Sequence, residues 1–197
     1  MAELMWFVTR ASGVVALLLI VAAVADGLVF SGREGGRRLR PAGWMDLHRG
    51  LGGYALAFTG LHLVSAFGAD LGVGLAEIFV PGASSYATTA FSLGVLAFYG
   101  LAVTVLTSWP KKRLRHRAWH ALHLVSLPTA VLSAVHAYQL GSDARTPVYL
   151  AVSAIAAGLV MYPAGLRVSG LVRSRRAAAG TRAATVTTEA ARELVTR

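Results

Sequence analysis

The sequence predicts an all-α membrane protein: a bundle of five transmembrane helices with the N-terminus outside and the C-terminus in the cytoplasm. Three observations carry this. The 197 residues are 55% hydrophobic, with a mean hydropathy of +0.58, where soluble domains are about 45–50% apolar even when Gly is counted. Five apolar runs each reach the ~20 residues that a helix needs to cross a hydrocarbon core ~30 Å thick. The basic residues are confined to alternate loops.

The five segments follow in order. The first runs from 7 to 30, with Asp26 near its far end. The N-terminus, MAELMWFVTR, lacks the basic n-region of a cleavable signal and the apolar run is long for a signal peptide, so the segment is read as retained. The second covers 48–69. The third, 86–109, has no charged residue. The fourth, 118–141, has no Asp, Glu, Lys or Arg but holds His120, His123 and His136. The fifth covers 147–166. A backbone in lipid must satisfy its own hydrogen bonds, which makes helices the expected form.

Loop charge sets the orientation. Residues 31–47 contain Arg33, Arg37, Arg38 and Arg40, residues 110–117 read PKKRLRHR, and seven Arg follow Leu166. Residues 70–85 hold no Lys or Arg, and 141–146 only Arg145. The positive-inside rule puts the basic loops and the C-terminus in the cytoplasm. The organisation expected is a transmembrane domain over 1–170 and a basic cytoplasmic tail over 171–197. From 174 the tail reads as mobile, with Gly180 as a breaker and a short helix from about Thr188. A net charge of +10 arranged this way suits topology and lipid headgroups, not nucleic acid.

The chain has no cysteine, which excludes disulfides, thiolate metal sites, iron–sulfur clusters and haem attached through C-x-x-C-H. Ligating residues must come from elsewhere, and the histidines stand out. His48 and His62 are fourteen residues apart; His123 and His136 are thirteen apart. Each gap spans roughly 20 Å of helix. Ionisable residues inside a membrane are costly and usually functional. Both segments run from inside to outside, so depth pairs His48 with His123 near the cytoplasmic face and His62 with His136 near the outer face. Two imidazoles at each of two depths suit two non-covalent b haems, and paired axial ligands favour electron transfer over oxygen binding.

The two gaps differ in phase. Fourteen residues leave an offset of about 40°, whereas thirteen leave about 140°. Pro128 lies between His123 and His136 and is expected to kink the helix and re-aim His136. His120, three residues before His123, is a rival inner ligand or a neighbour of the haem edge. His116 reads as solvated. Gly50, Gly52, Gly53 and Gly60 allow close approach of a flat ring or another helix. Arg10 is a candidate partner for outer propionates; Arg49, Arg113, Arg115 and Arg117 are candidates for inner ones, with interfacial snorkelling as the alternative. Trp6, Trp44, Trp109 and Trp119 read as interface anchors.

With WFVTRASGVVAL, LHRGLGGYALAFTGLH, VPGASSY and HRAWHALHLVSLPTAVLSAVH on the page, the chain resembles the ferric reductase-like transmembrane domain family over most of 6–140. That family includes the membrane part of NADPH oxidases and metalloreductases, and the actinobacterial type looks most similar. The resemblance implies two b haems on His48, His62, His123 and His136. It departs in having five spans where many relatives have six. No glycine fingerprint of a dinucleotide fold is present, and a flavin and nicotinamide domain is not expected.

The leading expectation is therefore a di-haem b-type electron-transfer protein of the cell membrane, an oxidoreductase acting with a partner. Its donor would be a separate flavoprotein or a membrane quinol, which makes quinone a further candidate cofactor, and its acceptor lies outside. One alternative is a haem-bearing anchor subunit on which 110–117 docks a partner oxidoreductase. Another is a non-redox protein whose histidines bind metal or line a proton path, in which Asp26 would take part.

Overall fold

The computed structural model describes residues 1–31, 43–69, 72–109 and 114–195. All secondary structure among these residues is helical: α1 (Ala2–Ser31), α2 (Trp44–Gly68), α3 (Leu75–Phe79), α4 (Thr88–Ser108), α5 (His116–Leu124), α6 (Ser126–Leu140) and α7 (Pro147–Val195). Five stretches are long and apolar enough to cross a membrane, with α5 and α6 together making the fourth. The protein is a multi-pass membrane protein. Arg33, Arg37, Arg38, Arg40 and Arg113 lie outside the described residues.

The chain divides into two compact units, Met1–Val160 and Met161–Arg197. Within the first, α1 packs along α2, and α5 and α6 pack on α4, while α1 also meets α6 and α2 meets α4. Backbone approach between α2 and α5 or α6 is slight by comparison. The core between them is a thin aliphatic layer: Ile20, Ala55 and Leu101, flanked by Leu19, Leu56, Val105 and Ala130. Large apolar side chains such as Val64, Phe67, Val131 and Leu159 are exposed. That is the expected arrangement where lipid, not water, surrounds the bundle.

Hydroxyls inside the spans bond to their own helix: Ser12 to Val8 O, Thr59 to Ala55 O and Thr104 to Gly100 O. Such back-bonding leaves no donor stranded in lipid. Gly43, at φ 91, starts α2 one turn ahead of the expected His48, because a left-handed residue there accommodates the sharp entry at no Cβ cost. A short helix, α3, lies in the loop before α4, and Tyr99 Oη donates to Phe79 O at 2.7 Å to hold it.

The fourth span breaks as anticipated in kind but not in place. The interruption is at Val125, three residues before Pro128, and Val125 N bonds to Leu122 O in a tight turn. Proline has no N–H for the carbonyl of Leu124, so the ladder fails in the turn preceding it. The last helix also differs from expectation. It does not stop near Leu166, nor at Gly180, but runs on to Val195. The Ala-rich composition from Ala177 onward favours helix strongly enough to carry one glycine, a cost of about 1 kcal/mol.

Candidate functional site

The four histidines meet in two pairs. The rings of His48 (α2) and His123 (α5) have centroids 5.9 Å apart at an interplanar angle of 59°. Those of His62 (α2) and His136 (α6) are 6.3 Å apart at 90°. The break at Val125 allows two residues thirteen apart to face one neighbouring helix.

Each ring is anchored from behind by a helix that carries no ligand candidate itself. His62 Nδ1 lies 2.8 Å from Thr9 O of α1, and His136 Nδ1 lies 2.8 Å from Ala90 O of α4. Carbonyl oxygens only accept, so Nδ1 carries the proton in both rings and Nε2 is left with its lone pair. His48 Nδ1 lies 3.2 Å from Asp26 Oδ2 of α1. His123 Nδ1 lies 3.2 Å from Ser108 Oγ of α4. The Ser108 proton is committed to Thr104 O at 2.6 Å, so Ser108 accepts from His123. Thus α1 anchors both histidines of α2, and α4 anchors those of α5 and α6. A ligating imidazole typically gives its other N–H to such a partner, which fixes both tautomer and ring orientation.

Glycines create the room for this. A methyl on Gly13 would lie 2.9 Å from His62 Nδ1, on Gly94 2.6 Å from His136 Nδ1, and on Gly27 3.1 Å from His48 Cε1. Gly13 and Gly94 each follow by four residues the carbonyl their histidine binds, so the missing side chain exposes that carbonyl. Thr9 and Ser65 hydroxyls, 2.9 Å apart and buried, lock α1 to α2 at the same level. By contrast, Gly50, Gly53 and Gly60 have nothing within 4 Å of a would-be Cβ, and Gly52 meets only Val105. Of these four, only Gly52 approaches a side chain of another helix, whereas Gly13 and Gly27 of α1 and Gly94 of α4 lie against the histidine rings.

The remaining candidates separate cleanly. His120 is exposed and stacks on His116 at 6.1 Å and 6°; His123 is the ring opposite His48. Trp119 stacks on His123 at 4.9 Å and 20°, buttressing it. Arg10 ion-pairs with Asp143 and lies 4.3 Å over the Trp6 ring. Arg49, Arg115 and Arg117 are exposed.

Two imidazoles bound in line through Nε2 to one metal ion, each at ~2.0–2.1 Å, would have centroids ~6.3 Å apart. Both pairs lie close to that spacing. No group of three or more His, Cys, Asp or Glu capable of holding a metal ion occurs among the described residues. A metal between either pair would find only these two side-chain donors there among those residues.

Against known proteins, residues 11–134 match the model of the ferric reductase like transmembrane component family. The chain belongs to this family. The matched span runs from within α1 to within α6 and contains three of the paired histidines, with His136 two residues beyond it. No curated protein and no solved structure matches the chain. Membership of the ferric reductase-like family supports membrane electron transfer as the protein's general role.

Proposed function

We propose that this chain is a di-haem b-type cytochrome that carries electrons across the cell membrane from a cytoplasmic flavoprotein or a membrane quinol to an outer acceptor. The observation that carries the reading is the double pairing. Four histidines, each with Nδ1 beside its own partner on α1 or α4, bring their rings together in two facing pairs whose centroids lie 5.9 and 6.3 Å apart. Two imidazoles and, among the described residues, no third ligating side chain at each pair suit a haem, which brings its own equatorial donors.

Haem supplies the one-electron chemistry; the protein supplies ligation, orientation and surroundings. In this reading His48 and His123 hold one haem on the cytoplasmic side and His62 and His136 hold the other. The aliphatic layer of Ile20, Ala55 and Leu101 excludes water between the two levels. Arg10, steered by Asp143 and Trp6 at the level of Thr9, is the cation for outer propionates, and Arg49 for inner ones. The N-terminus faces outward, as loop charge dictates.

A second reading is a haem-bearing anchor for a partner oxidoreductase. The exposed Arg115 and Arg117 at the start of α5 favour it, since they offer a docking face to an acidic protein. The two readings part in a reduction assay. Purified protein in liposomes, given a quinol analogue or an added flavoprotein as the only donor, should pass electrons to an acceptor on the outer side. If the acceptor is reduced only by a partner oxidoreductase bound to the chain, with the chain's own haem not cycling, the anchor reading replaces the first.

A further inference from the structure

The two histidine pairs are not anchored alike. Both partners of the His62–His136 pair are backbone carbonyls, Thr9 O and Ala90 O. Those of the His48–His123 pair are a carboxylate, Asp26, and a hydroxyl, Ser108. Asp26 is largely enclosed, with 9% of its side chain exposed against 22% for His48. It sits in an apolar helix where a charge has a high desolvation cost. Packing alone gives no reason for a carboxylate at this position. Gly27 beside it clears the space that lets His48 come in, at 3.1 Å from a would-be Cβ.

We infer that Asp26, acting through His48, makes the His48–His123 haem the lower-potential of the two. This rests on the haem reading above. An imidazole that donates to a carboxylate is a stronger electron donor than one that donates to a neutral oxygen. A nearby negative charge in a low-dielectric setting also favours the more positive, oxidised metal. Both effects act on one pair and are absent from the anchors of the other. The fold thereby contains its own downhill direction, from the level of Asp26 at the far end of α1 to the level of Thr9 near its start. With loop charge placing the Asp26 end in the cytoplasm, electrons descend outward. Asp26 is a positioning and tuning residue, not a ligand.

The test is a potentiometric titration of the full chain in detergent or nanodiscs, following the haem absorbance, for wild type, Asp26→Asn and Asp26→Glu. The wild type should bind two haems with two separate midpoint potentials. Asp26→Asn should raise one potential and leave the other in place, and Asp26→Glu should return it toward the wild-type value. If Asp26→Asn retains both haems at unchanged potentials, Asp26 merely ties α1 to α2 and the inference is overturned. If Asp26→Asn does not hold its haem, His62→Ala decides. The haem left in that variant must titrate at the lower of the two wild-type potentials; titration at the higher one overturns the inference. A wild type with no haem at all would remove the haem reading itself, and this inference with it.

Discussion

Gly94 of α4 lies directly against the ring of His136 of α6: a methyl there would come within 2.6 Å of both Nδ1 and Cε1. The contact makes glycine a condition for the bond from His136 to Ala90 O. Gly94→Ala should therefore push the ring off its anchor and lower the haem content from two per chain to one, measured as haem absorbance against protein. Gly13→Ala should do the same through His62. Gly53→Ala, which enters open space, should leave the content unchanged. Equal losses from all three would show that general helix propensity or packing, not histidine placement, governs binding.

The fourth span offers a sharp contrast between neighbouring histidines. His123 faces His48, whereas His120 stacks on His116. His123→Ala is expected to remove one haem and His120→Ala none. Loss of a haem with His120→Ala alone would reassign the ligand.

The two pairs also differ in ring orientation, 90° for His62–His136 and 59° for His48–His123. Perpendicular imidazoles leave the two metal π orbitals nearly equal in energy, which preserves orbital angular momentum and widens the spread of g values. Paramagnetic resonance of the oxidised protein should show two low-spin signals, the more anisotropic belonging to His62–His136. His62→Ala should abolish that one selectively.

Arg10 and Asp143 form an ion pair in which the side chains are 33% and 58% exposed. Exposed pairs contribute about 0–1 kcal/mol. A double-mutant cycle of Arg10→Ala and Asp143→Ala should give a coupling within that range by thermal unfolding. If Arg10 also serves the outer haem, Arg10→Ala will shift that haem's potential beyond any shift produced by Asp143→Ala. Identical shifts from both variants would limit Arg10 to the loop.

Much of this architecture was legible in the sequence because a bilayer imposes length and polarity with little tolerance. Apolar runs sufficed for the spans, and four histidines in charge-free or nearly charge-free helices were conspicuous. Their anchors were not. Thr9 and Ala90 act through carbonyl oxygens that every residue possesses, and Gly13 and Gly94 matter only because a ring from another helix rests on them. Asp26 gave a signal, a carboxylate late in an apolar helix, but its partner is twenty-two residues away across a loop. Pro128 announced a break without locating it, since the missing bond is felt at Val125. Gly180 suggested a helix end that the surrounding alanines override.

The central claim is the pairing of four histidines around two haems. It is tested most directly by the haem stoichiometry of the purified full chain, taken from the reduced pyridine haemochrome spectrum. The expected result is two b-type haems per chain, with one remaining in His62→Ala and in His136→Ala. A chain that stays colourless when expressed with ample haem, or that keeps its full haem complement in those variants, would contradict it.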